Sequence, residues 1–197
     1  MTRLHVLEAA PHPWSHWGDY GQILVHGMTS HLPRKNHELQ LERVGPFVPS
    51  VFFPGISDIV LNDCAKVELS SRVPGLTFRS VQKARIVRLY WSGWDASAPE
   101  PREYPASGEP EDYILALPHD PFLAEELGAL WELVPHVEPQ IQAQGAKARL
   151  SRYSGQHLIR ANISAGYNFA SDALQTALES IAPTEVCSRR AELQDDR

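Results

Sequence analysis

One phrase, written twice, constrains the fold of this chain more than any other feature. Residues 59–71 read IVLNDCAKVELSS and residues 168–180 read NFASDALQTALES. With Asp172 laid on Asp63, Leu178 falls on Leu69, Ser180 on Ser71 and Pro183 on Pro74, four identities where average composition supplies about one. Each copy runs from a short apolar stretch (Ile59-Val60-Leu61, Phe169-Ala170) through a small polar residue (Asn62, Ser171) to an aspartate. That order predicts a strand end, an N-cap and an acid in the first turn of a helix, where the helix dipole favours negative charge. Ala173, Leu174, Ala177, Leu178 and Ile181 fall on one face of the second helix. Each copy then stops at a proline, Pro74 or Pro183, and resumes with a β-prone run, Leu76-Thr77-Phe78 or Val186-Cys187. The predicted unit is strand, helix, strand. Strand, cap and helix is also the commonest punctuation of mixed domains, so the recurrence marks architecture rather than an active site.

Between the two copies, residues 95–112 read DASAPEPREYPASGEPED, with prolines at 99, 101, 105 and 110 and a single cation, Arg102, among the acids. Such a segment has too little apolar surface for a core and predicts a surface loop or linker. The expected fold is therefore α+β (mixed α/β), with two pseudo-equivalent strand–helix–strand units around one sheet, joined by this Pro-rich acidic linker. Residues 1–197 are expected as one domain, with two lobes, 1–94 and 113–190, as the alternative division.

Elsewhere the pattern predicts a strand in GQILVHGM (21–28), and two short strands around a turn at Pro54-Gly55. Further strands are expected at 84–91, 113–117 and 157–163. Asp120 and Pro121 predict a cap and first position of a helix whose face carries Leu123, Leu127, Leu130, Trp131 and Val134, ending at Pro135. Residues 135–149 read as a loop, and the charged tail from Arg189 as frayed.

The chain of 197 residues is 43% hydrophobic and 21% charged, the balance of a soluble globular protein. No apolar run is long enough to predict a membrane span, and the N-terminus predicts no secretory signal. Cys64 and Cys187 lack metal-ligand spacing and read as reduced core residues, which fits the cytoplasm. A net charge of −6 argues against nucleic acid as a partner, because phosphate binding needs clustered Lys and Arg. Arg79, Lys83, Arg85 and Arg88 come closest, but their interleaving with Ile86, Val87 and Leu89 predicts a strand with one wet face.

No nucleophile elbow, phosphate loop or dinucleotide fingerprint is present. The histidine-rich stretch 11–27 offers His12, His16, Asp19 and His26 as ligands for a metal-dependent enzyme. Pro11, Pro13, Gly18 and Gly21 interrupt the helix that would align them, so this is the alternative, and no cofactor or metal is expected. His119 with Asp120, and Ser154 with His157, read as loop and cap residues. A partner-binding surface is expected instead at Trp91 and Trp94, which combine apolar area with a polar edge, beside Glu100, Glu103, Glu109, Glu111 and Asp112.

The phrase GYNFASDALQTALESIAP (166–183) resembles the closing segment of immunity proteins from bacterial polymorphic toxin systems. These carry a strand, Ser-Asp or Ser-Glu, a helix and a final short strand. DIVLNDCAKVELSSRVPGLTFRSV (58–81) resembles the same segment, and its GLTF is similar to the family's turn into a strand. The nearest groups are the immunity protein 11-like and the double-CxxCG immunity proteins. No CxxCG occurs here, so the zinc site of the second group is not expected. The resemblance covers about a quarter of the chain and implies a small cytoplasmic, non-enzymatic protein that binds a cognate toxin and blocks it by surface occlusion. Net negative charge suits a basic toxin, because complementary charge speeds encounter.

Overall fold

The computed structural model describes residues 3–137, 142–144, 147–149, 155–160 and 167–194. In chain order the strands are β1 (Leu4–Ala9), β2 (Gln40–Gly45), β3 (Val51–Phe52), β4 (Val60–Asn62), β5 (Thr77–Ser80), β6 (Gln82–Arg88), β7 (Leu130–Val134), β8 (His136–Val137), β9 (Gln142–Gln144), β10 (Lys147–Arg149), β11 (Leu158–Arg160), β12 (Asn168–Ser171), β13 (Val186–Arg190) and β14 (Glu192–Gln194). The helices are α1 (Asp19–His26), α2 (Asp63–Arg72), α3 (Asp112–Leu115), α4 (Pro121–Glu126) and α5 (Asp172–Ile181). The fold is mixed α+β.

Both copies of the phrase fold as strand, helix and strand, as expected, although Ala173 is exposed rather than on the buried face of the second helix. Asn62 Oδ1 accepts from Ala65 N at 2.9 Å to cap α2, and Ser171 Oγ accepts from Leu174 N at 3.3 Å to cap α5. Asp63 and Asp172 each open their helix. The two strands of each unit do not pair with each other, because a third strand runs antiparallel between them. β7 separates β4 from β5, and β1 separates β12 from β13. This is a split β-α-β arrangement. β3 lies antiparallel on the outer side of β4, as β11 does on β12.

The expected single sheet is instead divided: the pair β2-β6 and the sheet β14-β10-β9 stand apart, and the two units form separate sheets, ordered β3-β4-β7-β5 and β13-β1-β12-β11-β8, because each recruits its own central strand. Their registers superpose: Asn62 faces Leu130 as Ser171 faces Leu4, and Leu61 faces Trp131 as Ala170 faces His5. The equivalence extends outward, since Val51 faces Leu61 as Leu158 faces Ala170. The shared core holds these pairs together. Leu61, Ala65, Leu69, Val73 and Leu133 from one unit meet Ala170, Leu174, Leu178, Ala182 and Leu7 from the other. Each leucine buried there contributes about 1.5–3 kcal/mol.

A second core lies on the parallel pair β2–β6, where α1 and α3 gather Trp17, Leu24, Met28, Val87, Trp91, Trp94 and Tyr113. Here the sequence expectations need correction. GQILVHGM is mostly helix, not strand, because Gly21, Leu24, Val25 and Met28 recur at helical spacing and all are buried. Gly27 ends that helix at φ +70°, where a Cβ would meet Arg43 Cβ and Glu42 O at 2.6 Å. Residues 113–117 begin in the short helix α3 rather than a strand.

The helix after Asp120 is capped as expected, with Asp120 Oδ1 accepting from Leu123 N at 2.9 Å and Pro121 in its first turn, but it stops after one turn and a half. Gly128 at φ +67° turns the chain, and Leu130–Val134 becomes β7. The region 135–149, expected as a loop, contributes β8, β9 and β10, and the tail pairs as β14 along β10. Cys64 is exposed rather than in the core, Cys187 is half-buried, and both are free thiols. Among the described residues no helix is long and apolar enough to cross a membrane.

Candidate functional site

Residues 95–112 do not hang free as a linker. They fold back over the second core and are held there mainly through their own carbonyls. Trp17 Nε1 donates to Ala98 O at 3.0 Å and His16 Nε2 to the same oxygen at 2.7 Å. Tyr20 Oη donates to Gly108 O at 2.5 Å, and Tyr113 Oη donates to Glu103 O. Burial, with Tyr20, Tyr104 and Glu103 nearby, pushes the Tyr113 phenol up and keeps it a donor. Ser97 closes the first turn on Asp95 through both its amide and its hydroxyl, and that pair of bonds lowers the Asp95 carboxyl below its ordinary range. Pro101 is buried, and Tyr104 packs edge-on to Tyr20 at 5.0 Å.

Glu100, Glu103, Glu109 and Glu111 are exposed on this ribbon, and Asp112 is half-buried in the first turn of α3. The one cation of the segment, Arg102, lies 3.9 Å from Glu103. Trp91 and Trp94, expected as interface anchors, are instead 1% and 9% exposed. They are core anchors beneath the ribbon. Trp91 meets Trp14 at 4.7 Å, and Trp94 packs between Trp17 at 6.3 Å and Tyr113 at 6.1 Å. Trp94 backs the ribbon through Trp17 and Tyr113, while Glu100, Glu103, Glu109 and Glu111 are exposed.

The four residues of the metal alternative are not brought together. His12 and His26 meet edge to face at 5.6 Å, whereas His16 is taken up by Ala98 O and Asp19 is exposed at the start of α1. Among the described residues, no group of three or more His, Cys, Asp or Glu is placed to hold a metal ion. His119 Nδ1 accepts from Ile86 N at 3.0 Å, and Asp120 is occupied by its capping bond and by Arg88 at 2.9 Å. His157 Nδ1 and Ser171 Oγ lie 2.9 Å apart, while Ser154 lies outside the described residues.

The sequence reading missed a buried charge network. Glu132, 2% exposed in the middle of β7, accepts both terminal nitrogens of Arg34 at 2.8 and 2.7 Å, with Arg79 at 3.6 Å. Arg34 and Arg160 also flank Asp58, at 3.5 and 3.9 Å, and Thr29 Oγ1 donates to it at 2.7 Å. Glu42, 2% exposed, is held by His31 at 2.7 Å and Arg85 at 3.3 Å. Each of these acids is paired with at least one arginine and is committed to structure. A glutamate inside the apolar run LWELV was the visible signal, but its partner lies 98 residues away. The basic strip is likewise used up, since Lys83 donates to Ala124 O and Gly128 O and Arg85 to Leu115 O.

Compared with protein families, with curated proteins and with solved structures, the chain finds no match.

Proposed function

We propose that this chain is a non-catalytic immunity protein, which binds a cognate bacterial toxin in the cytoplasm and neutralises it by occluding its surface. The observation that carries this reading is the acidic ribbon. Its backbone is fixed by Trp17, His16, Tyr20 and Tyr113, while Glu100, Glu103, Glu109 and Glu111 stay exposed. A preformed surface loses little conformational entropy on docking, and a run of one sign steers a partner of the other. The fitting partner is a protein with a basic face. The resemblance to immunity proteins supports the same reading, since both phrases that carry it fold as a strand, a capped aspartate-led helix and a second strand.

The test is growth rescue. The product of the adjacent gene is induced in a sensitive host with and without this chain. Rescue accompanied by a one-to-one complex on a sizing column is expected; failure of both overturns the proposal.

A further inference from the structure

Among the described residues, five side-chain nitrogens are buried without a hydrogen-bond partner: His12 Nε2, Trp14 Nε1, His26 Nε2, Arg43 Nη1 and Trp91 Nε1. Their residues form a closed circuit. Arg43 Nη2 donates to Phe47 O at 2.5 Å, and the Phe47 ring stands edge-on to Trp91 at 5.7 Å. Trp91 meets Trp14 at 4.7 Å, and Trp14 N donates to His12 Nδ1 at 3.2 Å. His12 meets His26 at 5.6 Å, and His26 Nδ1 accepts from Phe53 N, next in the chain to Phe52, whose ring lies 5.0 Å from the Arg43 guanidinium.

All five orphaned atoms are donors. Indole and guanidinium nitrogens can only donate. Each histidine already accepts a backbone amide on Nδ1, from Trp14 N in His12 and from Phe53 N at 3.2 Å in His26, so the proton of the neutral ring sits on Nε2. Burial, reinforced by His12 and Arg43 nearby, lowers His26 to about 3 and keeps it neutral. A ring nitrogen that carries its proton cannot ligate a metal, so the pair suits an acceptor and not a cation.

Arg43 makes the charge of that acceptor specific. It is 0% exposed, its other nitrogens donate to Val44 O and Phe47 O, and it lies over the Phe52 ring at 5.0 Å. No carboxylate pairs with it among the described residues, and burial alone lowers it to about 9. A buried cation without a counter-charge is costly unless an anion completes it. His12 and Trp14 are half-buried and Phe47 is 43% exposed, whereas Arg43, His26 and Trp91 are buried, so the first three form the rim of the circuit nearest the surface.

We propose that this ring binds a small oxyanion, whose oxygens accept from the five donors and whose charge offsets Arg43. The site is separate from the acidic ribbon's role and does not depend on it.

Indole N–H signals of the full-length protein, labelled with ¹⁵N, provide the test. Trp14→Phe and Trp91→Phe assign the two reporters. Inorganic phosphate and, separately, acetate are titrated at constant ionic strength. Saturable movement of the Trp14 and Trp91 signals is expected. Trp17 and Trp131, whose N–H groups already donate to Ala98 O and Asp63, should stay still. Saturation by phosphate alone assigns a phosphate-like ligand, and saturation by acetate alone a carboxylate. Arg43→Met should abolish the effect. His12→Phe, at the half-buried rim, should weaken it at least five-fold in a protein that keeps its dispersed spectrum. No saturable shift with either anion, or equal drift of all the indole signals, overturns the proposal.

Discussion

Trp131 Nε1 donates to the Asp63 carboxylate at 2.8 Å, from the strand threaded through its unit to the first turn of that unit's helix. The second unit repeats the contact with different chemistry: His5, which faces Ala170 as Trp131 faces Leu61, donates from Nε2 to Asp172 at 2.6 Å. The repeated aspartate therefore ties each helix start to its central strand. Asp63→Ala and Asp172→Ala should each cost about 1 kcal/mol, the worth of a helix-terminus charge plus one net hydrogen bond. Asn62→Ala and Ser171→Ala should cost about as much again through the lost caps. Urea unfolding of the four variants checks both values.

His26 sets a pH dependence. Its folded pKa lies near 3 because burial penalises the charged ring, against the ordinary value of 6.5. Between those values the unfolded chain binds the proton and the folded chain does not, so this contribution to stability is complete above pH 6.5 and falls as pH drops towards 3. From pH 7 to pH 4 the loss amounts to about 3 kcal/mol. His26→Gln keeps an acceptor for Phe53 N without titrating, and its stability should fall less over that interval. Denaturant melts at the two pH values decide it.

Arg34→Met should destabilise by about 3 kcal/mol, because Glu132 would lose its bidentate partner and stay buried with Arg79 at 3.6 Å. Pairing it with Glu132→Leu should recover most of that loss, since an apolar pair removes the desolvation cost. Chemical melts of the single and double variants read the difference.

Trp17→Phe keeps the aromatic packing of the second core but removes a donor to Ala98 O. Amide hydrogen exchange within residues 95–112 should quicken several-fold, with little change in β4, β7 or β12, because the two cores are distinct clusters.

The repeated unit was legible because caps, first-turn acids and terminating prolines are local signals. So was the β3–β4 hairpin around Pro54-Gly55. What lay between the units was less so. The periodicity of Leu123, Leu127, Leu130 and Val134 satisfies a helix, yet Gly128 breaks it, and Leu130–Val134 is drawn into β7 by the gap that β4 and β5 leave. The acidic segment showed its charge but not its anchoring. Three of its holding points are the carbonyls of Ala98, Glu103 and Gly108, which have no residue-type signature. The same long-range contacts buried Trp91 and Trp94, whose neighbours in sequence suggested a surface. The donor ring was invisible for a like reason, since Arg43 lies in β2 and Trp91 just beyond β6, and the pairing of these strands brings distant parts of the chain together.

The most direct measurement is the association rate between this chain and the toxin recovered from the rescue experiment, by stopped flow at low and at physiological salt. Glu100, Glu103, Glu109 and Glu111 are changed together to Lys. The variant should associate at least ten-fold more slowly at low salt, with a difference that shrinks as salt rises and with an unchanged fold. Equal association rates for the two proteins at low salt would contradict the acidic ribbon as the docking surface.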